Sequence, residues 1–215
     1  TACGGGGGTT ASGTGTGTEL NVAAAYTSDD FGPLTTGALP MGTNWQVLEG
    51  LYRLDRTDYS VSPALAAGDP VMVSDTEYEI ALRDGAKFSD GTDVTAEDVV
   101  AAFGKATAEG SIFGQFFTFI DSMEAKDTTT VTVHLKHPFA SLKERLAILM
   151  VTPASADAAA MKSNPIGSGP YKYTEVGEQK VVAVPNEYYN GNAPATVDTI
   201  NWLPLKDVIK TKNLY

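Results

Sequence analysis

Five carboxylates lie close together in the middle of the chain, and such a cluster could do acid/base chemistry or hold a metal ion. The cluster consists of Asp84, Asp90, Asp93, Glu97 and Asp98. Its spacing does not fit an EF-hand loop, which needs oxygen ligands at alternate positions and a closing glutamate. Each carboxylate can instead complete a turn or the start of a helix. We therefore predict structural roles for all five side chains and no metal site.

Ser168 is the residue that could act as a nucleophile, because it stands between Gly167 and Gly169. A serine hydrolase elbow has the pattern Gly-x-Ser-x-Gly between a strand and a helix. Here Ile166 takes the first glycine position, and Pro170 follows the triplet. A surface hydrolase is therefore kept only as a rival interpretation, and we predict no catalytic residues.

Two histidines, His134 and His137, could bind a transition metal if their side chains converged. They lie on a segment that is predicted to be extended, and their odd spacing points the two side chains to opposite faces. A single cysteine in the chain excludes a cysteine-rich zinc site and an internal disulfide. The sequence therefore predicts no metal and no cofactor.

The single cysteine, Cys3, precedes a stretch at 4–18 that contains only Gly, Thr, Ala and Ser. Such a segment behaves as a flexible, hydrophilic linker. A free thiol and an intermolecular disulfide are two interpretations of Cys3, and a lipid attachment point is the third. Residues 1–3 resemble the end of a bacterial lipoprotein signal, and a flexible spacer would let a folded body stand off the membrane. We therefore expect Cys3 to carry a lipid anchor.

The composition sets broad limits on the rest of the chain. Its 215 residues can form one large domain or two small ones with a sizeable core. The formal charge of −11 argues against a nucleic-acid partner, since phosphate binding needs a basic face. No apolar run in the sequence approaches the ~20 residues of a membrane-spanning helix.

The first part of the folded body is predicted to contain a strand, a loop and a helix. Residues 19–26 predict the strand, and residues 31–42 predict a loop that holds two prolines and three glycines. Thr43 and Gln46 have the spacing of a capping box, in which the two side chains bond to the first turn of a helix. The predicted helix therefore begins at Thr43 and runs to Leu51.

The middle of the chain has the clearest secondary-structure signals. Residues 78–82 alternate as a half-buried strand does, and an Asp-Gly turn would lead to a return strand at 86–88. Thr95 can cap a helix, with Asp98 in place of the usual Glu. Residues 130–136 alternate again and predict a further strand.

This middle segment resembles the signature of family 5 of the bacterial extracellular solute-binding proteins, which serve oligopeptide, dipeptide and nickel ABC importers. The family pattern runs from Leu-Arg-Asp-Gly through Lys-Phe and Asp-Gly to Thr-Ala-Glu-Asp-Val-Val at a helix start. The sequence reproduces this pattern at residues 82–85, 87–88, 90–92 and 95–100. Further similar stretches follow in the family's order at residues 49–52, 62–66, 165–171 and 186–191, with Ser168 for Thr and Tyr189 for Trp.

The resemblance implies an α/β fold that is periplasmic-binding-protein-like, of type II and the large peptide-binding class, with a mixed sheet and flanking helices. Members usually have roughly twice this length or more, so we expect only the N-terminal part of the two-lobed fold. The implied domains are a tether at 1–18, a discontinuous lobe domain at 19–48 plus 164–215, and an inserted small α/β domain at 49–163.

The resemblance also implies a function. The protein would be the substrate-binding component of an ABC importer, capturing oligopeptides or similar solutes by lobe closure and delivering them to a membrane permease. It would be a monomer without a cofactor, held by its lipid on the extracellular face of a bacterial membrane, in a Gram-positive cell. A nickel chelate and a sugar stay open as ligands. A single-lobe surface interaction module that has lost ligand clamping is the alternative function, ahead of the hydrolase.

In relatives the loop after the first strand lines the ligand cleft, and the resemblance places this loop at Thr36, Gly37 and Ala38. An ordinary surface loop is the other interpretation of these three residues. They are nevertheless the expected ligand contacts from this part of the chain.

A second contact region in relatives follows the signature helix and supplies an aromatic side chain. Phe113, Phe116 and Phe117 lie there, and core packing should take at least one of them. Phe113 and Phe116 are the expected ligand contacts. Trp45 is expected to be a core residue.

Overall fold

The computed structural model describes residues 17–24 and 28–204. The strands of this part are β1 (Glu19–Ala24), β2 (Tyr52–Leu54), β3 (Val61–Pro63), β4 (Val71–Ser74), β5 (Glu77–Ala81), β6 (Ile120–Asp127), β7 (Thr130–Leu135), β8 (Tyr171–Val176), β9 (Val181–Pro185) and β10 (Thr199–Pro204). The α-helices are α1 (Ala38–Thr43), α2 (Ala96–Thr107), α3 (Leu142–Leu146) and α4 (Ala158–Ser163). Short 3-10 helices span Asn44–Gln46 and Ile112–Phe117.

The first sheet has four strands in the order β1-β10-β9-β8. β1 runs parallel to β10, with Leu20 opposite Ile200, and the other pairs are antiparallel. The strand that the sequence predicts at 19–26 is confirmed up to Ala24, and its last two positions lie outside the described residues. This sheet therefore depends on pairing between segments that are far apart in the chain.

The second sheet has four antiparallel strands in the order β4-β5-β7-β6, and α2 packs against β6 and β7. The predicted strands at 78–82 and 130–136 are confirmed as β5 and β7, with small shifts of their ends. β2 and β3 pair separately as a two-stranded ribbon. Side chains such as Ile80 and Val131 are fully buried beneath the second sheet.

A hydrophobic cluster lies against each of the two larger sheets. In the cluster on the first sheet, Tyr173 packs edge-to-face on Phe31 and on Trp202, with ring centroids 5.7 and 6.4 Å apart. Such edge-to-face pairs add to the stabilisation that comes from burying the rings. The segment after β1 is thus held against the first sheet through the Phe31 ring.

The prediction of a helix that begins at Thr43 is wrong. The chain is helical earlier, in α1, where a loop was expected, and a 3-10 helix ends it at Gln46. The Thr43 hydroxyl does not cap a helix but lies 2.6 Å from the Tyr173 hydroxyl, with which it shares a buried hydrogen bond. Val47 is fully buried in the core in an irregular segment. Tertiary contacts therefore override the local capping pattern.

The prediction of a return strand at 86–88 is also wrong. Lys87 forms only an isolated bridge with Asp93, and the side chains of these two residues form an ion pair. Gly85, with φ of +64°, makes the turn as predicted, but Leu82 bridges to Ala66 rather than starting a hairpin. The segment is a compact loop that leads into α2.

The helix predicted at Thr95 is confirmed as α2. The Thr95 N–H and hydroxyl both donate to Oδ2 of Asp98, at 2.8 and 3.0 Å, and the Ala154 N–H donates to Oδ1 at 2.7 Å. Asp90 accepts a hydrogen bond from the Thr92 N–H at 2.9 Å. These carboxylates have the structural roles that the sequence predicts for them.

Candidate functional site

An apolar cavity of about 380 Å³ opens between the segment that follows β1 and the segment that follows α2. Most of its lining consists of aromatic rings and sulfur-containing or branched side chains. The lining residues are Pro33, Thr35, Met41, Asn44, Trp45, Phe113, Phe116, Arg145, Ile148 and Met150. A cavity of this volume suits a small ligand or one side chain of a larger ligand.

The 3-10 helix Ile112–Phe117 positions two of the aromatic rings. It begins after Ser111, whose hydroxyl accepts a hydrogen bond from the Phe113 N–H at 3.3 Å. Phe117 turns into the core and is 2% exposed. Phe113 and Phe116 are only partly buried, with ring centroids 6.3 Å apart, and both line the cavity.

Buried hydrogen bonds fix the opposite wall. The Asn44 side chain donates to the Phe31 carbonyl at 2.9 Å and accepts a hydrogen bond from the Tyr173 hydroxyl at 2.8 Å. The Thr35 hydroxyl donates to the Asp30 carbonyl at 2.7 Å. Burial raises the pKa of the Tyr173 phenol, so this hydroxyl stays protonated and remains a donor. The wall is therefore preformed rather than loose.

Arg145, on α3, is the charged residue in the lining of the apolar cavity. Its guanidinium carbon lies 6.0 Å from the centroid of the Phe116 ring, within the range of a cation–π contact. Among residues 17–24 and 28–204, no carboxylate forms an ion pair with Arg145. The cavity thus combines an apolar interior with a positive charge at its wall.

A second cavity, of about 370 Å³, shares Trp45 with the first and is more polar. Arg53 and Arg56 line it together with Asp55. Arg56 lies over the Trp45 ring at 5.0 Å, and Arg53 donates to the Asn192 side chain at 2.7 Å. The Trp45 ring therefore has one arginine, Arg56, over its face, although the whole chain is acidic.

The structure brings together only some of the predicted contact residues. Phe113 and Phe116 line the apolar cavity, but the neighbouring loop contributes Pro33 and Thr35 instead of the residues that follow them. Of the three predicted loop contacts, Thr36 is exposed and Gly37 precedes the first turn of α1. Ala38 lines a separate groove beside Val22 and Trp202. The ligand contacts of all five residues stay a prediction, and Cys3 lies outside the described residues.

Trp45 is not a core residue, contrary to the prediction. The 3-10 helix leaves its ring half-buried between the two cavities. The prediction also missed Met41, Arg145 and Met150, which line the apolar cavity from α1 and from around α3. No motif in the sequence marks these positions, because they meet only through the fold.

Ser168 is fully buried, and its hydroxyl donates to Oε2 of Glu49 at 3.0 Å. Glu49 in turn forms an ion pair with Arg83 at 3.2 Å. Burial raises the pKa of the Glu49 carboxyl, while the Arg83 charge acts in the opposite direction. His134 lies elsewhere, on β7 between Glu77 and Glu124 at 3.8 and 3.7 Å. Ser168 therefore joins structural elements and has no access to a substrate.

Residues 17–24 and 28–204 contain no group of three or more His, Cys, Asp or Glu side chains that could hold a metal ion. None of their helices has the length and apolar character needed to cross a lipid bilayer.

Comparison with known proteins identifies the family. The sequence model described as "Bacterial extracellular solute-binding proteins, family 5 Middle" matches residues 60–213. The chain belongs to this family. The glutathione-binding protein GsiB of Escherichia coli K12 is 30% identical over 168 residues, which are 74% of this chain and 32% of GsiB. The chain thus spans about a third of the length of the curated relatives that it matches.

Solved structures confirm the fold class. OppA of Listeria monocytogenes, bound to peptide, matches with a TM-score of 0.82 and 23% identity over 94% of this chain and 45% of OppA. NikA of Staphylococcus aureus, in complex with Ni(L-His)2, matches with a TM-score of 0.72 and 21% identity over 89% of this chain and 40% of NikA. The chain therefore has part of a type II periplasmic-binding-protein fold, and its family supplies solute-binding components of ABC importers.

Proposed function

We propose that this protein captures a peptide or a similar small solute outside the cell and delivers it to an ABC permease in the membrane. The observation that carries the proposal is the apolar cavity walled by Trp45, Phe113 and Phe116, with Arg145 beside it. A preformed concave site with a few polar groups is the usual form of a small-ligand site. Family membership supports a role for that site in import.

We further propose that binding couples to closure of two lobes. One lobe would comprise 19–48 and 164–215, with the domain at 49–163 inserted between them. Two separate hydrophobic clusters, each on its own sheet, support this division. Thr36, Gly37 and Ala38 would contact the ligand only in the closed form, which ligand binding favours by population shift.

We propose that the protein is a monomer on the extracellular face of a Gram-positive membrane and that a lipid on Cys3 holds it there. The support is the cysteine ahead of a Gly/Thr-rich spacer. The protein is proposed to bind and not to catalyse. The buried hydrogen bond of Ser168 to Glu49 supports this, because a nucleophile must reach its substrate.

Tryptophan fluorescence tests the proposal, since Trp45 lines the cavity while Trp202 is 8% exposed in the core. We expect a mixture of tri- to pentapeptides to change the emission of the wild type and of Trp202→Phe in a saturable manner. Trp45→Phe should lose the response, with folding of each variant checked by circular dichroism. Emission that never responds to the peptides, or that follows Trp202, would contradict the proposal.

A further inference from the structure

The apolar cavity has the lining of a pocket for one bulky apolar group. Three aromatic rings, two methionines and one isoleucine contribute to its wall. Methionine side chains fit themselves to irregular shapes and make favourable contacts between sulfur and aromatic rings. Met41 is 53% exposed at the wall, so this apolar surface is open to solvent and to an incoming ligand.

Arg145 adds a positive charge that forms no ion pair with a carboxylate in the described part of the chain. Its neighbour Lys143 pairs with Asp69 at 3.1 Å, and Arg83 pairs with Glu49, but no ion pair between residues of the ranges 17–24 and 28–204 includes Arg145. The chain has 26 acidic and 15 basic residues, so acidic partners are plentiful. The guanidinium instead lies over Phe116, where its donors can reach a group held in the cavity.

We propose that this cavity selects a small carboxylate ligand that carries one bulky apolar group, with the carboxylate bound by Arg145. The inference rests on the proposed function and narrows its ligand class. The apolar group displaces water from the aromatic wall, and the planar guanidinium donates two parallel hydrogen bonds to the carboxylate. A ligand with no carboxylate, or with no apolar group, lacks one of these two contributions.

The NMR signals of methionine methyl groups provide a direct test, because the five methionines of the chain lie in different parts of the fold. Met41 and Met150 line the cavity, whereas Met72 is on β4 and Met123 and Met161 are in buried positions elsewhere. The protein would carry 13C-methyl methionine and be titrated with 3-phenylpropionate. 3-Phenylpropanol serves as the uncharged probe, and acetate as the carboxylate without a ring.

We expect 3-phenylpropionate to shift the Met41 and Met150 signals and to leave Met72 unchanged. It should bind about tenfold or more tightly than 3-phenylpropanol. This difference in affinity corresponds to the free energy of one charge-assisted hydrogen bond. Arg145→Gln should remove most of this preference, and Lys143→Gln, the matched change on the same helix, should preserve it. Equal binding of the two aromatic probes, or shifts that avoid Met41 and Met150, would overturn the proposal.

The peptide mixture separates this inference from the proposed function. If 3-phenylpropionate binds as expected but peptides and other solutes give no response, the pocket stands and solute capture fails. If peptides bind while 3-phenylpropionate leaves both cavity methionines unchanged, solute capture stands and the proposed selectivity is refuted.

Discussion

At the scale of single residues, the buried ion pair between Glu49 and Arg83 connects three parts of the chain. Glu49 is 6% exposed and also accepts a hydrogen bond from Ser168. Arg83 further donates to the Ala64 carbonyl and to the Asn190 side chain. A buried carboxylate is tolerated only when its charge and lone pairs are satisfied in this way.

Replacing Arg83 by Gln should therefore lower the free energy of unfolding by about 3 kcal/mol, because it leaves Glu49 buried without its counter-charge. Urea unfolding measures the change. Lys126→Gln, which removes an exposed ion pair with Glu79, is the control and should have little effect. Equal losses in the two variants would show that burial of the pair does not matter.

The same variant should show a characteristic pH dependence. Burial raises the pKa of Glu49, and loss of Arg83 removes the main influence that lowers it. A carboxyl whose pKa is higher in the folded state stabilises the protein when protonated, and this contribution is lost as the pH rises. The difference in stability between Arg83→Gln and the wild type should therefore be smaller at about pH 5 than at about pH 7.5. A difference that grows as the pH falls would contradict this assignment.

The roles of single residues could be predicted where their hydrogen-bond partners are close in sequence. Asp98 and Thr95 are three positions apart, and their capping box was correctly predicted. Glu49 and Arg83 are distant in sequence, and no local pattern pairs them. Arg145 was missed for the same reason, since its place at the cavity depends on how α3 packs.

At the scale of elements, α2 depends on one carboxylate that also binds outside the helix. Asp98→Ala should cost about 2–3 kcal/mol, since it removes the cap and leaves the Ala154 N–H without its partner. Asp157→Ala is the matched control, because Asp157 caps only the short, exposed start of α4, through the Ala160 N–H. Thermal unfolding should show the larger loss for Asp98→Ala. A larger loss for Asp157→Ala would refute the dual role of Asp98.

The segment at 165–171 packs against the chain that follows the 3-10 helix Asn44–Gln46. A Cβ on Gly167 would overlap the Val47 carbonyl oxygen and the Leu48 side chain, whereas one on Gly68 would meet open space. Gly167→Ala should therefore destabilise the protein by roughly 1–3 kcal/mol, and Gly68→Ala should not. Urea unfolding of the two variants compares them directly. A Gly167→Ala variant as stable as Gly68→Ala would contradict this packing.

Element prediction succeeded for strands with a clear alternation and failed around residue 43. β5 and β7 alternate as half-buried strands do, and the structure places them where expected. The capping pattern at Thr43 was misleading because the Thr43 hydroxyl and Asn44 both bond to Tyr173, far along the chain. A long-range hydrogen bond of this kind leaves no periodic signal in sequence.

At the scale of the whole molecule, the fold class followed from motifs rather than from periodicity. The pairing of β1 with β10, at one edge of the first sheet, brings together segments from opposite parts of the chain. No propensity argument predicts such a pairing, whereas the family resemblance implies that 19–48 and 164–215 form one discontinuous domain. Likewise, the cavity is lined by side chains that pack on both hydrophobic clusters, so no single segment of the sequence predicts it.

The central claim is that the protein captures a small solute, and a native mass spectrum of the protein released from its own cells tests it most directly. We predict a noncovalent adduct of small mass that is lost on denaturation and that fragments as a peptide or similar solute. Protein that carries no adduct, and that takes none up from a peptide mixture, would contradict the claim.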